Sequence, residues 1–147
     1  MREFFSECEL DTEMIGKLLA KECVEGDYLA LYGDMGSGKT VFMRGFVGAL
    51  VPSARVSSPT YAILNVYEGE NINVNHFDMY RITSEDDLYS TGYEDVIKNG
   101  ITVCEWSENI EEFLPDTYLK LVFEKLGENK RKLTLERITS VNDGSWN

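Results

Sequence analysis

The sequence predicts an α/β fold: a mixed β-sheet flanked by helices, in a single domain spanning residues 1–147. Three observations predict it. A short apolar run, Tyr28 to Tyr32, leads at once into a glycine-rich turn and then into an amphipathic helical pattern. Strand-like and helix-like segments alternate along most of the chain. Two pairs of strand-like segments are joined by short polar turns, which adds hairpins and makes the sheet mixed in direction.

The chain has 147 residues, 43% of them apolar, with seven Phe and eight Tyr. A domain of this size buries roughly 70% of its unfolded surface, so it folds on its core without a disulfide or a structural metal. The net charge of −12 repels bare nucleic acid, whose phosphates are met by Lys and Arg, and favours protein partners and small ligands. Arg131 and Lys132 form one local basic spot. Cys8, Cys23 and Cys104 are scattered and odd in number, which is neither a zinc spacing nor a disulfide framework. They read as reduced thiols of a cytoplasmic protein. Met1 to Glu7 lacks the apolar centre of a signal peptide, and no apolar run approaches the ~20 residues of a membrane span.

Taken in order, Arg2 to Ser6 reads as a first strand. Asp11 to Cys23 reads as an amphipathic helix, with Met14, Ile15, Leu18, Leu19 and Cys23 on its inward face and Asp11 or Thr12 capping its start. Gly26 and Asp27 turn the chain. Tyr28 to Tyr32 has no polar side and suits a strand buried on both faces. Val41, Phe42, Phe46, Val47 and Leu50 mark a helix over residues 39–50, stopped before Pro52. Ser57 to Thr60 is a polar turn of the kind that senses a γ-phosphate. Residues 61–67 and 72–78 form a hairpin, 85–98 short helices or structured loop, and 101–106 another strand. Glu108 to Leu114 makes one or two helical turns. Residues 118–124 and 132–138 form a second hairpin, and about 140–147 is a loose tail.

The chemistry centres on Gly33-Asp34-Met35-Gly36-Ser37-Gly38-Lys39-Thr40, which satisfies the phosphate-binding pattern G-x-x-x-x-G-K-[ST] at every fixed position. The glycines let the backbone wrap a phosphate with its N–H groups inward. The helix that follows offers free N–H groups from its first turn, Val41 included, to the same anion. Lys39 adds charge against the β- and γ-phosphates, and the Thr40 hydroxyl suits Mg²⁺. An apolar strand before and an amphipathic helix after complete the context. Such a loop also needs a carboxylate at a strand tip. Two candidates qualify, Asp78 after Ile72-Asn-Val-Asn-His-Phe and Glu105 after Ile101-Thr-Val-Cys.

The GTPase signatures are missing. Arg81, not Gly, stands three residues after Asp78, and Asn129-Lys130-Arg131-Lys132 lacks the required Asp. A stand-alone small-molecule kinase, the alternative reading, would need several lid arginines, and only Arg81, Arg131 and Arg137 lie beyond the loop, its helix and their connection. A nucleotide-binding module without hydrolysis is a third, weaker alternative. His76, the one histidine, reads as a packed structural residue beside Phe77. Trp106 reads as core, drawn toward the site by its neighbour Glu105. Ser84 to Asp87 reads as a solvated helix start.

Six segments in fixed order carry a resemblance. They are Thr12-x-x-x-Gly16-x-x-Leu19-Ala20, the loop itself, Val56-Ser-Ser-Pro-Thr-Tyr61, His76-Phe-Asp-Met-Tyr-Arg81, Gly92-Tyr-Glu-Asp95 and Val103-Cys-Glu-Trp106. Together they resemble the TsaE (YjeE-type) P-loop ATPases of bacterial tRNA threonylcarbamoyladenosine biosynthesis. The departures, Met35 and Ser37 in place of Leu and Ala, fall at free positions of the loop. The resemblance implies an ATP/ADP and Mg²⁺ protein, feebly active alone, that supports the TsaB–TsaD heterodimer in modifying adenosine 37 of tRNAs reading ANN codons. It implies contact with tRNA only through that complex. By the same resemblance Thr40 and Glu105 hold Mg²⁺, Thr12 and Trp106 lie beside the nucleotide, Asp78 assists at the γ-phosphate or activates a loop, and Arg131 reaches the nucleotide.

Overall fold

Tyr28 to Tyr32 lacks a polar face because both of its faces are covered: the strand lies inside a seven-stranded sheet. The computed structural model describes residues 1–33, 37–56 and 63–139. Its elements are β1 (Arg2–Ser6), α1 (Glu9–Glu22), β2 (Tyr28–Tyr32), α2 (Lys39–Leu50), β3 (Leu64–Glu68), β4 (Asn73–Asp78), α3 (Glu85–Tyr89), α4 (Tyr93–Val96), β5 (Ile101–Glu105), a 3₁₀ segment (Ser107–Phe113), β6 (Thr117–Lys125) and β7 (Arg131–Thr139). Asp34 to Gly36, the Ser57–Tyr61 turn and the tail lie outside the described residues.

The spatial order is β1-β7-β6-β2-β5-β4-β3. β6, β2, β5 and β4 run parallel, and the pairs β1–β7, β7–β6 and β4–β3 are antiparallel. This is the mixed α/β sheet that the sequence predicts. Strand alternation divides the core in two. Leu29, Leu31, Val74, Ile101, Val103 and Leu121 pack with α1 and α2. Tyr28, Ala30, Phe77 and Cys104 pack with Leu88, Tyr93 and Ile110 from α3, α4 and the 3₁₀ segment. The two hydroxyls in this second core are satisfied in a chain: Tyr28 donates to Tyr93 at 2.8 Å, and Tyr93 donates to the Phe113 carbonyl at 3.1 Å.

The inward face of α1 differs from the expected one. Ile15 and Leu19 are buried with Thr12, Gly16 and Ala20, whereas Met14 and Leu18 are exposed and Cys23 is half-buried. Small residues set this contact. A Cβ on Gly16 would fall onto the Phe42 carbonyl, and one on Gly45 onto the Glu13 carbonyl. Backbone therefore meets backbone where α1 crosses α2, and the larger side chains are left to the flank. The helix also starts earlier than expected. Cys8 is its N-cap, and Asp11 instead accepts the Glu7 backbone N–H at 3.0 Å.

Candidate functional site

The glycine-rich loop joins the end of β2 to the start of α2. Gly33 (φ 141°) and Gly38 (φ 103°) both hold backbone conformations that side chains resist. A Cβ on Gly33 would also come within 2.8 Å of the Phe123 carbonyl. Gly38 is the N-cap of α2, with no side-chain cap and no acid in the first turn. The first helical N–H to find a partner is that of Phe42, which donates to the Gly38 carbonyl at 2.9 Å. The N–H groups of Lys39, Thr40 and Val41 have none among the described residues. The Ser37 hydroxyl is buried and likewise without a partner among the described residues. A helix start with free donors, no acid and an orphaned hydroxyl is chemically suited to an anion such as a phosphate.

Lys39 is buried and its Nζ donates to the Gly33 carbonyl at 2.6 Å. The same ammonium lies 5.5 Å from the ring centre of Trp106. Thr40 is exposed and Val41 half-buried on the same first turn. Two further residues flank the loop. The position of a Cβ on Gly38 lies 3.6 Å from Thr12 Cγ2 and 3.8 Å from Arg131 Cγ. The Thr12 hydroxyl shares a buried hydrogen bond of 2.7 Å with Ser6. Arg131 Nη1 donates to the carbonyls of Gly127, Glu128 and Lys130 at 3.0–3.1 Å. Thr12, Gly33, Gly38, Lys39 and Arg131 are thus brought together; Asp34, Met35 and Gly36 are outside the described residues.

The two strand-tip acids are neighbours. Asp78 ends β4 and Glu105 ends β5, opposite each other in the parallel register. Alternation places His76, Asp78 and Glu105 on the face of the sheet that α1 and α2 cover, with Val74, Ile101 and Val103. Burial pushes the Asp78 carboxyl above the ordinary carboxylate range. The Tyr80 N–H, donating to it at 3.0 Å, opposes this, and the Glu105 charge adds to it. Glu105 is buried, and its Oε2 lies 2.6 Å from Nε2 of His76, which is also buried. Just beyond, Trp106 holds a left-handed backbone (φ 59°), the one non-glycine positive φ among the described residues. Its ring lies 4.9 Å from that of Tyr80. Asn109 ties the turn after β4 to the 3₁₀ segment by donating to the Met79 carbonyl at 2.8 Å.

The sequence reading missed the His76–Glu105 contact. Its signal was the period of two in β4, which puts His76 on the side of Asp78 rather than that of Phe77. Among the described residues no group of three or more His, Cys, Asp or Glu is arranged to hold a metal ion. Two carboxylates and a hydroxyl beside a phosphate loop instead match Mg²⁺, which keeps several waters and takes few protein oxygens. Among the described residues no helix is long and apolar enough to cross a membrane.

The family model for "Threonylcarbamoyl adenosine biosynthesis protein TsaE" matches residues 6–133, from the end of β1 into β7. The chain belongs to the TsaE family. Three proteins named "tRNA threonylcarbamoyladenosine biosynthesis protein TsaE" illustrate the relationship. The one from Rickettsia felis is 33% identical over 138 residues, 93% of this chain and 80% of the relative. That from Bacillus subtilis is 35% identical over 129 residues, 87% of this chain and 80% of the relative. That from Aquifex aeolicus is 34% identical over 140 residues, 93% of this chain and 97% of the relative. The fold matches the structure titled "Crystal structure of Bacillus subtilus YdiB" with a TM-score of 0.74 and 31% identity, covering 94% of this chain and 85% of that one. The family's role is in tRNA threonylcarbamoyladenosine biosynthesis, and the fold is the P-loop NTPase-like α/β fold that the sequence predicts.

Proposed function

We propose that this chain binds Mg-ATP and Mg-ADP at the Gly33–Thr40 loop and hydrolyses ATP slowly by itself in the cytoplasm. In this reading it is the accessory ATPase of the TsaB–TsaD heterodimer, which threonylcarbamoylates adenosine 37 of tRNAs reading ANN codons. One observation carries the proposal: the uncapped start of α2, with buried Lys39, sits on the same sheet face as the adjacent tips of β4 and β5 that bear Asp78 and Glu105.

Each residue then has a task. Lys39 exchanges the Gly33 carbonyl for a phosphate oxygen, and the first-turn N–H groups of α2 hold the same anion. Thr40 and Glu105 hold Mg²⁺, which when bound neutralises charge on the phosphate oxygens. Asp78, its carboxyl raised by burial, acts at the γ-phosphate or through a water. Thr12 and Arg131 flank the nucleotide beside Gly38, and Trp106 covers Lys39. The net charge of −12 leaves tRNA binding to the partner proteins.

Two measurements test this. Calorimetry on Lys39→Ala should show nucleotide affinity lower by about 10–100-fold, the worth of about 1.5–3 kcal/mol for a hydrogen bond to a charged group. ATP turnover, with no other small molecule added, should be low for the isolated chain and rise with TsaB–TsaD; Glu105→Ala and Asp78→Ala should lose it. Equal rates with and without TsaB–TsaD would refute the accessory role. Turnover that requires an added small-molecule acceptor would favour the stand-alone kinase.

A further inference from the structure

We infer that His76 is a positioning residue, whose imidazole holds one oxygen of Glu105 and thereby aims the other at the phosphate loop. The inference rests on the Mg-ATP reading above and deepens it.

Burial sets the problem. The Glu105 side chain is 9% exposed and that of His76 1%. A carboxylate withdrawn from water needs hydrogen bonds to stay ionised without a large penalty. Among the described residues His76 is the one side chain that supplies a hydrogen bond to it, at 2.6 Å. That bond engages Oε2 and leaves Oε1 without a protein partner among the described residues. One anchored and one available oxygen is the arrangement of a monodentate ligand whose direction is set from behind.

The tautomer follows from the same inventory. His76 Nδ1 is buried with no partner among the described residues. A proton there would be an unsatisfied buried donor, whereas a proton on Nε2 is donated to Glu105 and leaves only a lone pair at Nδ1. The structure therefore assigns Nε2–H as donor to Oε2. The ring is enclosed, its side chain 1% exposed. His76 stands in register with Asn65 of β3 and Val103 of β5, and its ring has the Tyr67 ring 6.4 Å away at an interplanar angle of 30°. A histidine serving only as filler would need no such bond to the one buried acid of the site.

The test uses the full chain with His76→Leu, which removes the donor, and His76→Gln, which keeps one at similar reach. A non-hydrolysable ATP analogue is titrated calorimetrically in EDTA and in Mg²⁺. His76→Leu should bind as wild type in EDTA yet lose about 10–100-fold of the Mg²⁺-dependent gain, while His76→Gln recovers most of it. In turnover with TsaB–TsaD the KM for Mg-ATP should rise in step with that loss for His76→Leu and return toward the wild-type value for His76→Gln. A His76→Leu chain with the wild-type Mg²⁺ response overturns the inference, as does loss of analogue binding in EDTA for both variants. A wild-type chain with no Mg²⁺ enhancement overturns the Mg-ATP reading itself, a separate outcome. Should His76→Leu not fold, the wild-type chain still decides. Its single histidine gives one unambiguous set of imidazole ¹⁵N signals. The expected result is the Nε2–H tautomer, perturbed by Glu105→Gln and by Mg-ADP; an Nδ1–H tautomer overturns the inference.

Discussion

On one face of the sheet α1 and α2, of 14 and 12 residues, meet with no room for a methyl group at Gly16 or Gly45. On the other face helices of five and four residues and a 3₁₀ segment of seven cover the second core. The first face carries Gly38 and Lys39, which under the proposed function hold an anion. The second takes the chain immediately after Asp78 and Glu105. Long helices bonded through several turns resist local opening, whereas single turns held by a few side-chain hydrogen bonds open more readily. The molecule thus sets the two long helices, α2 bearing Lys39, beside acids whose following turns rest on shorter elements.

Substitutions of glycine test this difference most sharply. Gly45→Ala drives a methyl into the Glu13 carbonyl and should destabilise by roughly 1–3 kcal/mol, the cost of overpacking. Gly48, one turn along the same helix, faces open space, and Gly48→Ala should gain up to about 1 kcal/mol from helix propensity. On the opposite face Gly92 also has open space but holds φ at +75°, so Gly92→Ala should lose about 1 kcal/mol to backbone strain alone. Denaturant midpoints at constant slope would rank the three. Equal losses at Gly45 and Gly92 would remove the distinction between the faces.

Asp78 gives a smaller effect, with a pH signature. Its folded carboxyl is raised, by burial first and by Glu105 after the opposing Tyr80 bond. A raised folded value means that its contribution is most favourable below the unfolded value of about 3.9 and declines as pH rises through the folded one. Asp78→Asn keeps an oxygen for the Tyr80 N–H and should raise the melting temperature of the nucleotide-free chain at pH 7. The gain should vanish below about pH 4. A lower melting temperature at pH 7 would show that the charged carboxylate is well accommodated.

The thiols give the smallest effect. Burial pushes Cys104 up to about 12 and does the same for Cys23, where Asp27 and Glu22 add to it. Thiolate is the reactive form, so at pH 8 a thiol reagent should label exposed Cys8 and spare the other two in the native chain. Both raised groups contribute fully below the unfolded value of about 8.5, and that contribution is lost as pH climbs toward 12. Rapid labelling of Cys104 at pH 8 would mean that the short-helix face opens often.

The loop, its strand and its helix were readable because their signals are local: glycine spacing, an apolar run and a 3.6-residue period. β1, β2 and α2 begin and end where the pattern puts them. The inward face of α1 was misread because hydropathy favours Met14 and Leu18, while the true contact is made by Gly16, which carries no side chain to register. The Asp78–Glu105 pairing was not readable at all. It is a parallel register between strands separated by α3 and α4, and no local pattern encodes which residues of two such strands stand opposite. The His76 bond follows from that register and was hidden with it.

Among the described residues the first strand, β1, pairs with the last, β7, Ser6 standing opposite Arg131. Ser6 also holds Thr12 against the loop. During synthesis β1 therefore waits, unpaired, until the chain has been made through β7. The glycine-rich loop is translated before β7, yet two of the residues around it reach their places only when β1 and β7 meet. A ribosome-bound fragment that stops before residue 131 has the whole glycine-rich motif and lacks the edge that frames it. Completion of this edge therefore waits for β7, however early the glycine-rich motif itself is made.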